Sequence, residues 1–215
     1  AKKINKLAFE EMLEMSSTGA KVLHTRSVEL AMKNNLVLQV ISSITKQPGT
    51  FIVDDKELIE KEIVSGVSYS KNEAKVTLSG IPDKPGISAK IFSLMTENNI
   101  NVDMIVQNIS QDGISANLTF TISKKDFDLT KSVIEKNHNS LKYKSLSLDK
   151  NVAKISVIGM GMMSQAGVAE KMFKTLAKNK INILAISTSE IKISVLIEEK
   201  HTNIAVKSLH EAYNL

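Results

Sequence analysis

GIPDKPGISAKIFSLMTENNINVDMI, residues 80–105, is written a second time as GMGMMSQAGVAEKMFKTLAKNKINILAI, residues 159–186. The two stretches align Gly80 with Gly159, Gly86 with Gly167, Lys90 with Lys171 and Phe92 with Phe173. The alignment continues through Asn98 with Asn179, Ile100 with Ile181 and Asn101 with Asn182. Upstream, Ala74 and Lys75 align with Ala153 and Lys154. The offset is 79 residues before the loop (74 to 153) and 81 after it (86 to 167), so the second copy has two extra loop residues. Two copies are too few, and the period too long, for a solenoid. A duplicated small domain is the reading that remains.

Working outward, strand and helix signals alternate in the same order around each copy. Residues 63–69 and 74–79 read as strands, 86–98 as a helix with Ile87, Ile91, Leu94 and Met95 on one face, and 102–109 as a strand. Asp112-Gly113 is a turn signal into 115–122, where Leu118, Phe120 and Ile122 alternate with polar residues. A helix at 126–136 and a strand at 141–148 complete the first copy. The second copy gives strand 152–158, helix 167–179, strands 183–188 and 191–197, and a closing helix 202–213. Each copy therefore reads as the split β-α-β unit of the ferredoxin-like α+β class. The second is one strand short, and 63–69 is expected to fill the gap.

Ahead of the repeats, residues 6–35 read as helical: Phe9, Met12, Leu13 and Met15 recur at helical spacing, Gly19 interrupts, and Val28, Ala31 and Met32 mark a second helix. Residues 36–44 form a strand-like apolar run, Pro48-Gly49 is a turn, and 50–53 reads as a short strand. The charged stretch 54–62 is the expected linker. The resulting division is 1–53, linker 54–62, first repeat 70–148, and second repeat 63–69 plus 149–215.

Composition narrows the function classes. The 215 residues are 42% hydrophobic and 24% charged, ordinary for a globular protein, and the apolar part is aliphatic, with no Trp and six Phe. Cys is absent, which removes disulfides, thiolate metal sites and Cys nucleophiles, and fits a cytoplasmic location. No apolar run is long enough to cross a bilayer, and no signal-peptide core is present. The first residue is not Met, and a fragment or processed chain is expected. The net charge of +5 comes from 28 basic and 23 acidic residues interspersed, a mixed solvated surface rather than a nucleic-acid patch. His24, His138, His201 and His210 have no metal-ligand spacing, and no phosphate loop or nucleophile elbow is present.

The loop Asp83-Lys84-Pro85-Gly86 lies between a strand and a helix, whose unpaired amides can hold a carboxylate. Asp83 and Asp103 could offer charge to an ammonium group, and together these features suit a free amino acid. An ordinary turn explains the same residues and is the reading physical argument alone favours. Asn101 and Asn182 either satisfy local backbone groups or present an amide to a ligand. The second loop, Ser164-Gln165-Ala166-Gly167, has no carboxylate, so the two loops cannot take the same ligand equally. Met160, Met162 and Met163 beside it read as adaptable packing.

Three stretches resemble the C-terminal regulatory part of the aspartate kinase family, built from two ACT domains. EEMLEMSSTGAKVLHTRSVELA resembles the last helices of its kinase domain. KNEAKVTLSGIPDKPGISAKIF with NINVDMIVQN resembles the first ACT domain, and VAKISVIGMGMMSQAGVAEKMF with INILAISTSEIKISVLIEEK the second. The resemblance implies a part in the aspartate pathway, where the full enzyme phosphorylates the side-chain carboxylate of aspartate with ATP and Mg. It implies lysine or threonine, or both, as inhibitory effectors bound between ACT domains of a homodimer. Carried over by position, the first-copy effector residues are Asp83, Gly86, Ile87, Ser88, Ala89, Asn101, Asp103 and Gln107. Those of the second copy are Val168, Asn182, Ile183 and Ser189. Lys21 matches a nucleotide-contacting lysine. The family's K-F-G-G-[TS] motif is absent, so no catalytic residue and no cofactor are expected on this chain. Gln165 stands where relatives often have His. An alternative within the resemblance is a small ACT subunit that assembles with catalytic subunits.

Overall fold

The computed structural model describes residues 2–45, 47–58, 62–111, 113–163 and 165–215. Asp112 of the expected turn, 59–61 of the expected linker and Ser164 of the second loop lie outside them. The N-terminal unit comprises β1 (Lys6–Ala8), α1 (Phe9–Ser17), α2 (Thr25–Lys33), β2 (Leu38–Val40) and β3 (Thr50–Val53). Its strands lie in the order β1-β3-β2, with β1 parallel to β3 and β2 antiparallel to it. Leu7, Phe9, Met12, Val28, Ala31 and Ile52 form its core. Two expectations are corrected here. Lys6–Ala8 is a strand rather than the start of a helix, because it pairs with 51–53, a partner remote in sequence. The apolar run 36–44 contributes only three strand residues; Ile44 is 90% exposed, and nothing covers it.

The remaining elements are β4 (Gly66–Pro82), α3 (Ile87–Glu97), β5 (Val102–Ile109), β6 (Ser115–Ser123), α4 (Phe127–Lys136), α5 (His138–Leu141), β7 (Ser145–Ile158), α6 (Val168–Lys178), β8 (Ala185–Thr188), β9 (Lys192–Glu198) and α7 (Thr202–Tyr213). One six-stranded sheet carries them, ordered β5-β6-β4-β7-β9-β8. The four strands expected at 63–69, 74–79, 141–148 and 152–158 are two long ones, β4 and β7, running antiparallel from the Gly66–Ile158 pair to the Ser79–Ser145 pair. Each serves both repeats. The first repeat is 145–149 of β7, the second half of β4, β6 and β5; the second is 66–70 of β4, the second half of β7, β9 and β8. The first has the ferredoxin-like order, last strand beside first; in the second, 66–70 takes the last-strand place beside β7 although it comes first in the chain.

The shared strands change face midway. Val76 and Leu78 of β4, with Leu146 and Leu148 of β7, pack on the first core with α3 and α4. Val67 of β4, with Ile155 and Val157 of β7, packs on the second with α6 and α7. Even positions serve one half and odd positions the other, so each strand slips by one residue. The register irregularities between Ser70 and Lys75 supply these slips as β-bulges. The sheet curls until its edge strands β5 and β8 approach, and Met104, Val152 and Leu196 form a small core there.

Candidate functional site

Gly86 begins α3 at φ +92°, a conformation other residues resist, and no side chain caps the helix. A Cβ there would meet nothing within 4 Å, so the backbone, not crowding, requires glycine. The loop is braced by the Asp83 amide donating to the Ile114 carbonyl (3.0 Å) and the Ile87 amide to that of Lys84 (3.3 Å). Ser88, in the first turn of α3, donates its hydroxyl to Gln107 Oε1 on β5 at 2.7 Å. The structure thus joins Gly86, Ile87, Ser88 and Gln107 at one uncapped helix end. Ala89 and Asn101 are exposed nearby in sequence, and Asp83 is half-buried in the loop itself.

Asp103 turns toward the other repeat. Its Oδ2 accepts from Lys154 Nζ of β7, while its Oδ1 accepts from the Met104 amide at 2.7 Å. Lys154 also lies 3.4 Å from Glu73 of β4. The side chains of Lys154 and Glu73 are only 6% and 11% exposed, whereas that of Asp103 is 58% exposed. Partial burial opposes charge on Asp103, but the Lys154 hydrogen bond and charge and the Met104 amide outweigh it and hold the carboxyl below its ordinary range. Burial likewise opposes charge on Lys154, yet Glu73 and Asp103 together raise its affinity for the proton. Met104 follows at φ +45° within a register irregularity of β5, and its buried side chain plugs the gap between the sheet edges. Sequence reasoning missed Lys154, Glu73 and Met104. A lysine inside the apolar run Val152-Ala153-Lys154-Ile155 was the available signal, since such a charge needs a partner.

The second repeat's residues are more dispersed. Gly167 caps α6 at φ +98°. Val168 is buried in the second core, and its carbonyl accepts from the Tyr213 hydroxyl at 2.7 Å. Burial pushes that hydroxyl up to about 12, partly offset by a backbone hydrogen bond. A cavity of about 290 Å³ lies among Glu62–Val64, Gln165–Val168, Lys171 and Tyr213. Asn182 is exposed, Ile183 packs on the second core, and Ser189 is an exposed residue at the β8–β9 hairpin. Met160 is buried and Met162 packs on the second core, but Met163 points to solvent, contrary to the packing role expected for all three.

The N-terminal unit is fastened to the second repeat by acids of α1. Glu11, 3% exposed, accepts from the Ser65 hydroxyl (2.5 Å), the Met160 amide (2.9 Å) and the Ala8 amide (3.1 Å). Glu14 pairs with Lys192 at 2.8 Å, and the Thr18 hydroxyl bonds that of Ser68. Lys21 is exposed in the turn between α1 and α2, not on a helix. Among the described residues, no group of His, Cys, Asp and Glu could hold a metal, and no helix is long and apolar enough to cross a membrane.

Two ferredoxin-like units that share strands and present glycine-started helices define a tandem module of the ACT class. The family described as ACT domain matches residues 76–137 and 155–213. Aspartate kinase of Pseudomonas putida is 46% identical over 216 residues, covering 100% of this chain and 52% of the relative. The chain spans about half the length of the curated relatives it matches. The ligand-free regulatory subunit of aspartate kinase from Thermus thermophilus is 34% identical, with 70% of this chain covering 98% of that one at a TM-score of 0.65. E. coli aspartokinase III in complex with lysine and aspartate shares the fold at 24% identity and a TM-score of 0.76, over 98% of this chain and 46% of that one. The chain belongs to the aspartate kinase family, as its ACT-domain regulatory part.

Proposed function

We propose that this chain senses a free amino acid end product, lysine or threonine or both, and through it restrains a kinase that phosphorylates aspartate with ATP. The observation that carries the reading is the uncapped start of α3 beside the Ser88–Gln107 pair, with the ionised, solvent-reached Asp103 earlier on the strand that carries Gln107, β5. A carboxylate suits the α3 amides and an ammonium suits Asp103. Asp83, Ile87, Ala89 and Asn101 belong to the same proposed site, and Val168, Asn182, Ile183 and Ser189 to its counterpart. The edge strand β5 exposes Ile105 and Ile109, and Ile114 is exposed after it; a second copy of the chain placed there would complete a homodimer and close the site. The lysine complex of the E. coli protein, alike in fold, supports lysine as the first ligand to try.

In this reading residues 1–53 belong to the kinase domain, 54–62 link it to the repeats, and ATP and Mg are handled by residues outside this chain. Isothermal titration calorimetry with lysine and with threonine tests it: Asp103→Asn should weaken binding, and no heat with either amino acid at millimolar concentration rejects it. An ATP-dependent hydroxamate assay on the chain alone should stay at background. One observation favours a second reading, a separate ACT subunit in a cytoplasmic assembly: this chain covers 98% of the Thermus regulatory subunit. The docking of α1 through Glu11 favours the first.

A further inference from the structure

Building on the assignment of Asp103 to the ligand's amino group, we propose that Lys154 is an internal competitor for that carboxylate, so a side chain of the second repeat sets the affinity of the first repeat's site. The competing groups are chemically alike: Lys154 ends in a primary ammonium, as every free amino acid begins with one. Lys154 occupies Asp103 Oδ2, the oxygen not used by the Met104 amide. Exchange there leaves the β5 irregularity intact. Asp103 is the member of the cluster that solvent reaches, so an incoming ammonium has access to it.

Glu73 makes the exchange feasible. A buried ammonium stripped of its only partner would be strongly disfavoured. Lys154 has a second carboxylate 3.4 Å away, almost as buried as itself, onto which it can shift when a ligand takes Asp103. The three groups carry two negative charges and one positive, so one carboxylate is always left for a further cation. Because Lys154 stands on β7 and Asp103 on the edge strand β5, ligand occupancy also exchanges a bond between repeats for one to the ligand.

The test is calorimetry of lysine and threonine against four forms of the chain, with circular dichroism confirming the fold of each. Glu73→Gln removes the alternative anion, commits Lys154 to Asp103, and should weaken binding about three- to fivefold. Lys154→Met combined with Glu73→Gln removes the competitor without stranding a buried carboxylate, and should tighten binding by a similar factor of about three to five. Asp103→Asn should weaken binding in any background. Opposite signs for the first two variants support the competition. Unchanged affinity in both, with Asp103→Asn still weakened, overturns it while leaving the amino-group site standing. Unchanged affinity in Asp103→Asn overturns both.

Discussion

Glu11→Ala should be the most damaging single truncation in α1, and its size follows from what the carboxylate holds. Three donors converge on it, two of them backbone amides, in a side chain 3% exposed. Hydrogen bonds to a charged group contribute about 1.5–3 kcal/mol each, and a stranded buried donor costs about 1–3 kcal/mol. The Ser65 hydroxyl can turn to another acceptor, but the Ala8 and Met160 amides cannot, so the loss should lie near 4 kcal/mol, at the upper end of point mutations. For a chain of this size that corresponds to a fall in Tm of roughly 8–16 °C. The Met160 amide should also lose hydrogen-exchange protection, which localises the damage to the joint between α1 and the second repeat. Glu10→Ala is the matched control: its Oε2 is buried without a partner, so truncation strands no donor there and should cost less than about 1 kcal/mol. Glu11→Gln should fall between, since its amide nitrogen meets a donor on one side. A Tm within about 3 °C of wild type for Glu11→Ala, or equal losses for the two alanine variants, refutes the hub assignment.

The glycines should separate by cause. Gly86→Ala carries only the backbone penalty of its left-handed geometry, about 1–2 kcal/mol. Gly19→Ala adds a Cβ 2.1 Å from the Tyr69 carbonyl oxygen and should melt markedly lower; equal melting temperatures would contradict the crowding. The Asp103–Lys154 pair should leave a signature in pH. Asp103 has a folded pKa below its ordinary 3.8, so its contribution is complete above that value and lost as pH falls through the lower, folded one. Lys154 has a folded pKa above its ordinary 10.5, so its contribution is complete below that value and lost as pH rises through the higher one. The Tm difference between wild type and Asp103→Asn should therefore be level between these limits and shrink at acid pH; a difference that grows on acidification reverses the sign and rejects the pairing.

The parts of this molecule legible in its sequence are those whose signals are local. Gly86 and Gly167 announce turns because only their own backbone angles matter, and the helices after them show a buried face within a dozen residues. The long strands β4 and β7 were read as four because their alternation breaks in the middle. A slip of one residue looks the same in sequence whether the chain turns away or bulges and continues. The difference lies in the partner: each strand runs past the break because the other does, and only the pair reveals it. The same limit hid the polar joints. Glu11 sits on the buried face of an otherwise amphipathic helix, and Lys154 in an apolar strand; each is out of place locally, and apart from the Ala8 amide their partners lie 51 to 149 positions away. Desolvating such a charge is costly, so its retention on an apolar face implies a convergent set of partners before their identity is known. Both misplaced charges lie where one unit meets another, Glu11 between α1 and the second repeat and Lys154 between the repeats. Under the proposed function, ligand occupancy at the first repeat reaches the second through the Asp103–Lys154 contact, an ionic pair that can be exchanged while Glu73 keeps Lys154 partnered.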